Sequence, residues 1–208
     1  MKVLLLNGSP KEKGCTFTAL SEVGNALNRE GIETEFAYLG AGPVRDCIGC
    51  GQCNTKHAGC IFTDDGINDV IAKAKEADGF VFGTPVYYAH PSGRILSALD
   101  RIFYAGKSAF LHKPGAAVAS ARRAGTTASV DVLNKYFTIA EMPVVSSSYW
   151  NMVHGNRPEE VLQDKEGLQV MRNLGRNMAW LLKCIEAGKK QQIAPPENEY
   201  GEKTSFIR

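Results

Sequence analysis

The chain has 208 residues, of which 44% are hydrophobic and 22% charged, enough for one packed core and too little for two sizeable ones. Its 24 Lys and Arg stand against 22 Asp and Glu, with the signs interleaved, which leaves no broad basic face for nucleic acid. The first apolar stretch, residues 3–6, is too short for a membrane span or a signal-peptide core, so the expectation is a cytoplasmic protein that meets neither membrane nor nucleic acid.

Residues 3–6 form a continuous apolar run closed by Asn7-Gly8-Ser9-Pro10, the pattern of a parallel strand buried on both faces. From Thr16 the spacing turns helical, with Phe17, Leu20, Val23, Gly24 and Leu27 on one side, and stops near Gly31. Residues 32–39 supply a second strand. After a cysteine-rich segment, Asp64 and Asp65 are expected to cap a helix carrying Ile67, Val70, Ile71 and Ala74 inward. Residues 79–83 make a third strand, 93–104 a helix, 114–120 a strand of small residues, 126–139 a helix and 143–147 a fifth strand. Residues 166–186 predict a long closing helix, and 191–208, with Pro195-Pro196, an extended tail. Alternating strands and helices with short connections call for a three-layer doubly wound α/β fold around a five-stranded parallel sheet, with residues 1–190 as one domain.

In such a sheet ligands bind beyond the carboxyl ends of the strands, near the point where strand order reverses. The turn after the first strand, residues 7–18, combines small residues, the hydroxyls of Ser9, Thr16 and Thr18, and Lys11 before a helix start, which suits a phosphate monoester. It lacks the Gly-Lys-Ser/Thr ending of a triphosphate loop and the spaced glycines of a dinucleotide fingerprint. The turn after the third strand, Thr84-Pro85-Val86-Tyr87-Tyr88, is aromatic and stiffened by proline, a flat wall for a planar ligand. The turn after the fourth, Ser120-Ala121-Arg122-Arg123-Ala124-Gly125, offers cations and backbone N–H groups to negative charge on a ring. Each has a plain alternative, as a helix cap, a core tyrosine or solvated arginines; three at three strand ends favour one ligand.

These residues resemble the NADPH-dependent FMN reductase branch of the flavodoxin-like superfamily, which includes iron–sulfur flavoproteins. The likeness spans nearly the whole chain and rests on Leu6-Asn7-Gly8-Ser9-Pro10 with Lys11 and Cys15-Thr16, on Gly83-Thr84-Pro85-Val86-Tyr87-Tyr88, on Gly93-Arg94 and Leu99-Asp100-Arg101, and on Cys47-x2-Cys50-x2-Cys53 before Asp64-Asp65. It implies FMN, with the phosphate held by Ser9, Lys11, Cys15, Thr16, Phe17 and Thr18. It further implies an isoalloxazine bordered by Thr84, Pro85, Val86, Tyr87 and Tyr88, whose pyrimidine side meets Ser120, Ala121, Arg122, Arg123 and Gly125. A reduced nicotinamide, NADPH or NADH, would be the electron donor, a flavin, quinone or other small molecule the acceptor, and a homodimer or homotetramer the assembly. Lys11 stands where arginine is frequent and Cys15 where asparagine or serine is frequent; lysine keeps the charge and loses the bidentate fork.

Cys47, Cys50, Cys53 and Cys60 crowd into one segment whose glycines permit tight turning. The set can wrap a [4Fe–4S] cubane, as the resemblance to iron–sulfur flavoproteins implies. Four thiolates also satisfy zinc, though two separated CxxC pairs are usual there, and a loop of reduced thiols without metal is the third reading. His57, His90, His112 and His154 show no ligand pattern. The expected reaction is hydride transfer to the flavin N5, for which the protein supplies orientation and tuning and no acid or nucleophile. Two rivals stand beside it: an FMN and cluster electron carrier that turns over no small substrate, and a zinc or thiol-switch module without flavin.

Overall fold

The computed structural model describes residues 1–56 and 59–204; His57 and the end of the tail lie outside the described residues. In chain order the elements are β1 (Lys2–Asn7), α1 (Cys15–Arg29), β2 (Glu33–Tyr38), α2 (Gln52–Lys56), α3 (Ile67–Glu76), β3 (Gly79–Tyr87), β4 (His90–Pro91), α4 (Gly93–Gly106), β5 (Gly115–Ala121), α5 (Thr126–Ile139), β6 (Met152–His154), α6 (Pro158–Val161) and α7 (Lys165–Lys190). Five strands run parallel in the order β2-β1-β3-β5-β6, and β4 turns back antiparallel on the end of β3. This is the doubly wound architecture that the alternation of strands and helices requires.

The two-residue period of the strands sorts side chains into two cores. Val3, Leu5, Val81, Ala116 and Val118 face α1 and α7, while Leu4, Leu6, Phe80, Phe82, Ala117 and Ala119 face α3, α4 and α5. The second core is aromatic, with ring centroids 4.6 Å apart for Phe80 and Phe110 and 5.1 Å for Phe82 and Phe137. These rings explain why β5 is built of small residues: a Cβ on Gly115 would stand 2.7 Å from the Phe137 ring. Burial of each such ring or leucine contributes about 1.5–3 kcal/mol.

Two expectations need correction. The segment 143–147 is not the fifth strand; it makes a single bridge, Val144 to Gly115, and the parallel partner of β5 is β6. Its serines are claimed by α7 instead. Ser147 Oγ donates to the Val170 carbonyl at 2.6 Å, Asn177 Nδ2 to the Ser146 carbonyl at 2.9 Å, and Asn173 Nδ2 to Ser148 Oγ at 2.9 Å, so residues 146–151 swing out before the chain rejoins the sheet. Nor is Asp64 or Asp65 the N-cap of α3, although Asp65 also accepts from the Ile67 N–H in its first turn. Gly66, at φ 72°, is the N-cap, and the two carboxylates turn to Arg45 and Arg101.

Helices α1 and α7 pack closely at Gly175, where a Cβ would lie 2.7 Å from Ala26 Cβ and 2.8 Å from the Val23 carbonyl oxygen. Gly175→Leu therefore forces the backbones apart. The expected net loss is up to about 2 kcal/mol, overpacking of about 1–3 kcal/mol less roughly 0.8 kcal/mol of helix propensity, read as a lower urea midpoint at unchanged slope; a raised midpoint contradicts this packing.

Candidate functional site

The three strand-end turns are tied to one another by hydrogen bonds and close backbone packing. Gly8 N–H donates to the Gly83 carbonyl at 2.9 Å and Ser92 Oγ to the Gly8 carbonyl at 3.1 Å, joining the turns after β1 and β3. Gly125, at φ 92°, presses on the β3–β4 hairpin, and a Cβ there would stand 2.3 Å from Ala89 Cα. Only glycine permits both that backbone angle and that approach.

The β1–α1 turn is shaped by its own side chains. Asn7 Oδ1 accepts from Ser9 N–H at 3.0 Å, Asn7 Nδ2 donates to the Glu12 carbonyl at 2.9 Å, and Ser9 Oγ accepts from Lys11 N–H at 3.1 Å. Helix α1 starts from Gly14 with no side-chain cap and no acidic residue in its first turn. The first N–H groups of a helix have no intrahelical acceptor and carry the positive end of its dipole, so Cys15, Thr16 and Phe17 present an open anion cradle beside Ser9 and Lys11. Thr16 and Ser120 share a hydroxyl–hydroxyl bond of 2.8 Å, linking the turn after β5 to this cradle. Thr18 Oγ1 donates to the Gly14 carbonyl, and Cys15 Sγ to the Gly155 carbonyl at 3.6 Å; burial pushes the Cys15 thiol up.

On the other side, Pro85 and Val86 are half-buried while Tyr87 and Tyr88 are exposed. Tyr88 and Ala89 form the two-residue turn between β3 and β4, at φ 52° and 59°, a conformation that costs non-glycine residues energy and recurs at functional sites. Thr84 is fully buried, its hydroxyl spent on the Pro85 carbonyl and on Ser92 N–H. Ala121 is buried, and Arg122 and Arg123 stand exposed at the uncapped start of α5.

Cys47, Cys50, Cys53 and Cys60 line one cavity of about 180 Å³, with walls from Ile48, Ile61, Phe62, Arg101, Tyr104 and Ala105. Gly49 and Gly51 turn the loop at φ 63° and 68°, and α2 carries Cys53. Among the described residues no three Cys, His, Asp or Glu side chains converge to metal-ligand distance, so the four thiols share a chamber without a preassembled ligand set. The donor set fits an iron–sulfur cluster chemically: four sulfurs, a largely apolar wall and a cationic N–H donor.

That donor is Arg101 of α4, 1% exposed. Each of its five N–H groups has an acceptor: Nε donates to Cys60 Sγ at 3.1 Å, Nη1 to the Arg45 carbonyl at 3.2 Å and to Asp65 Oδ2, and Nη2 to the Phe62 carbonyl at 3.2 Å and Asp65 Oδ1 at 3.0 Å. The guanidinium thus clasps both ends of the cysteine segment.

Residues 1–157 match the family described as NADPH-dependent FMN reductase. The chain belongs to that family. Within the family it is similar to two iron–sulfur flavoproteins of Methanocaldococcus jannaschii, one 34% identical over 89% of this chain and 100% of the relative, the other 30% identical over 83% and 92%. Its fold is similar to that of a WrbA-like flavodoxin from Agrobacterium tumefaciens, with TM-score 0.62 at 16% identity, covering 88% of this chain and 97% of the other. It is an FMN-dependent oxidoreductase of flavodoxin-like fold.

Asn7, Ser92 and Arg101 also shape these turns and the chamber. Asn7, at a strand end before Gly-Ser, has the signature of a side chain that folds back on its own turn. Ser92, ahead of α4, accepts from Ile95 N–H as its N-cap. Arg101 sits among the apolar Ile95, Ala98, Leu99 and Ile102 of α4, and a charge on such a stripe signals a buried partner.

Burial works to raise the Asp65 carboxyl, but the hydrogen bond and charge of Arg101 outweigh it and hold the group below its ordinary 3.8. Stability from this pair is complete above pH 3.8 and fades as pH falls through the lower folded value. Asp65→Asn leaves a buried guanidinium unpaired and costs about 3–5 kcal/mol near neutrality. Denaturant titrations across pH are expected to show the gap to the wild type closing only in that acid window; a gap independent of pH contradicts the pairing.

Proposed function

We propose that this oxidoreductase takes electrons from NADH or NADPH onto FMN and passes them through a [4Fe–4S] cluster on Cys47, Cys50, Cys53 and Cys60 to a small acceptor such as a flavin or quinone. The observation that carries the reading is that two separate receptacles meet the needs of two redox groups: an uncapped helix start ringed by hydroxyls, and a chamber lined by four thiols. The printed names of the relatives from Methanocaldococcus jannaschii support the second group.

Hydride acceptance is supplied by the flavin and single-electron transfer by the cluster; the protein's part is to bind and orient them. Cys15, Thr16 and Phe17 offer backbone N–H groups to the phosphate, Ser9 offers its hydroxyl and Lys11 offers charge, whereas the Thr18 hydroxyl proton is spent on the Gly14 carbonyl. Thr84 stiffens the hairpin that sets Pro85, Val86, Tyr87 and Tyr88 along the ring. Ser120, Ala121 and Gly125 carry the turn that faces the pyrimidine edge, where Arg122 and Arg123 favour a reduced, anionic ring. No general acid or nucleophile is assigned. A cytoplasmic setting keeps the thiols reduced, and among the described residues no helix is long and apolar enough to cross a membrane. A homodimer or homotetramer fits the exposed rings of Tyr149, Trp150 and Trp180.

A second reading, an electron carrier without small-substrate turnover, draws on the same chamber. Anaerobically purified protein is expected to contain FMN with iron and acid-labile sulfide in the cluster's ratio, and to oxidise NADH or NADPH with a quinone present. Flavin and cluster without nicotinamide oxidation favours the carrier; flavin with no iron removes the cluster.

Phosphate recognition separates from ring recognition. Ser9→Ala removes a hydrogen bond to a dianion, about 1.5–3 kcal/mol, and is expected to weaken FMN binding about tenfold or more while riboflavin affinity stays constant. Equal losses for both ligands, by fluorescence titration of apoprotein, would reject the assignment of this turn.

A further inference from the structure

Cys60 differs from the other three chamber thiols in the company it keeps. Among the described residues its sulfur alone of the four has a hydrogen-bond donor, Arg101 Nε at 3.1 Å. That donor is fixed from every other side, because Asp65, the Arg45 carbonyl and the Phe62 carbonyl occupy the remaining N–H groups, and the Phe62 ring centroid lies 5.2 Å from Arg101 Cζ. A guanidinium so held cannot swing away when a ligand enters, and it stays charged at every accessible pH. Hydrogen bonds to ligand sulfurs are among the factors that set iron–sulfur potentials: a donor stabilises the form with more negative charge on sulfur, which is the reduced one.

We propose that Arg101 is a positioning residue for the cluster: it holds Cys60 toward the chamber as the anchored ligand, and its Nε–H, donating to the Cys60 sulfur, raises the reduction potential. The proposal rests on the cluster reading above. Whatever the oxidation state of the cluster, Arg101 would form no covalent bond, lose no proton and keep its charge. Two properties of the side chain therefore separate. Its charge serves Asp65, and a lysine retains it; its rigid fork with the Nε–H serves Cys60, and a lysine loses it.

The test uses the anaerobically purified full-length holoprotein. Arg101→Lys is expected to load iron and sulfide, to leave the flavin potential unchanged, and to move the cluster potential to more negative values in an EPR-monitored redox titration. A purely structural role would lower stability and leave the potential where it was. In wild-type protein grown with nitrogen-15 arginine, pulsed EPR of the reduced cluster is expected to show coupling to an arginine nitrogen. That coupling decides the matter alone if Arg101→Lys fails to load. A wild-type potential in Arg101→Lys, or no arginine coupling in the wild type, overturns the role of Arg101 while the cluster stands. Wild-type protein devoid of iron and sulfide overturns the cluster reading, and this inference with it.

Discussion

A single buried ion pair, Arg101 with Asp65, decides where the cysteine segment lies. Leu39 and Val44 pack the start of the β2–α3 loop on the core, but around the cysteines Ile48 and Ile61 are exposed and glycines supply the turns. Hydrophobic burial cannot fix such a segment. An ion pair sealed from water can, because separating it would strand a charge at a cost of several kcal/mol. The guanidinium also binds carbonyls at Arg45 and Phe62, before the first cysteine and after the last, so the loop closes on α4 as a unit.

The flavin end obeys a different constraint, the strand order itself. With β1 and β3 adjacent at the centre of the sheet, their carboxyl ends open side by side, and the Gly8–Gly83 hydrogen bond is the continuation of their ladder into the loops. Glycine at position 8 allows the approach, since a Cβ would collide with Ile95 at 2.7 Å. Position 83 is restricted likewise by Thr16 and Leu20 of α1, which seats the helix start directly over the sheet. Local rules of turn and cap thereby generate a receptacle that no single segment encodes.

How much of this was legible in the sequence follows from the range of the interactions involved. β1, α1, β3 and α5 could be read because continuous apolar runs and 3.6-residue periods are local signals, and α5 has the predicted bounds, Thr126–Ile139. The true fifth strand was hidden because residues 146–148 bond to α7, 23 to 31 residues further on, and serine favours such side-chain bonds over a ladder. The pairing of Asp65 is hidden for a related reason: Arg101 lies 36 residues away, and an aspartate before a helix looks the same whether it only caps or also pairs. The site turns are recognisable by composition, whereas the placement of four thiols around one cavity with Arg101 depends on tertiary structure.

The displaced fifth strand has a consequence for the outer rims of the sheet. β6 has three residues, too few to template an added strand from another chain. On the opposite rim β2 carries Glu33 and Glu35, which pair with Lys2 and Lys73. Short length on one side and paired charges on the other are the two devices by which exposed ladders resist fibrillar stacking. Strand addition at either rim is thereby disfavoured, and the parallel ladder ends within the chain itself.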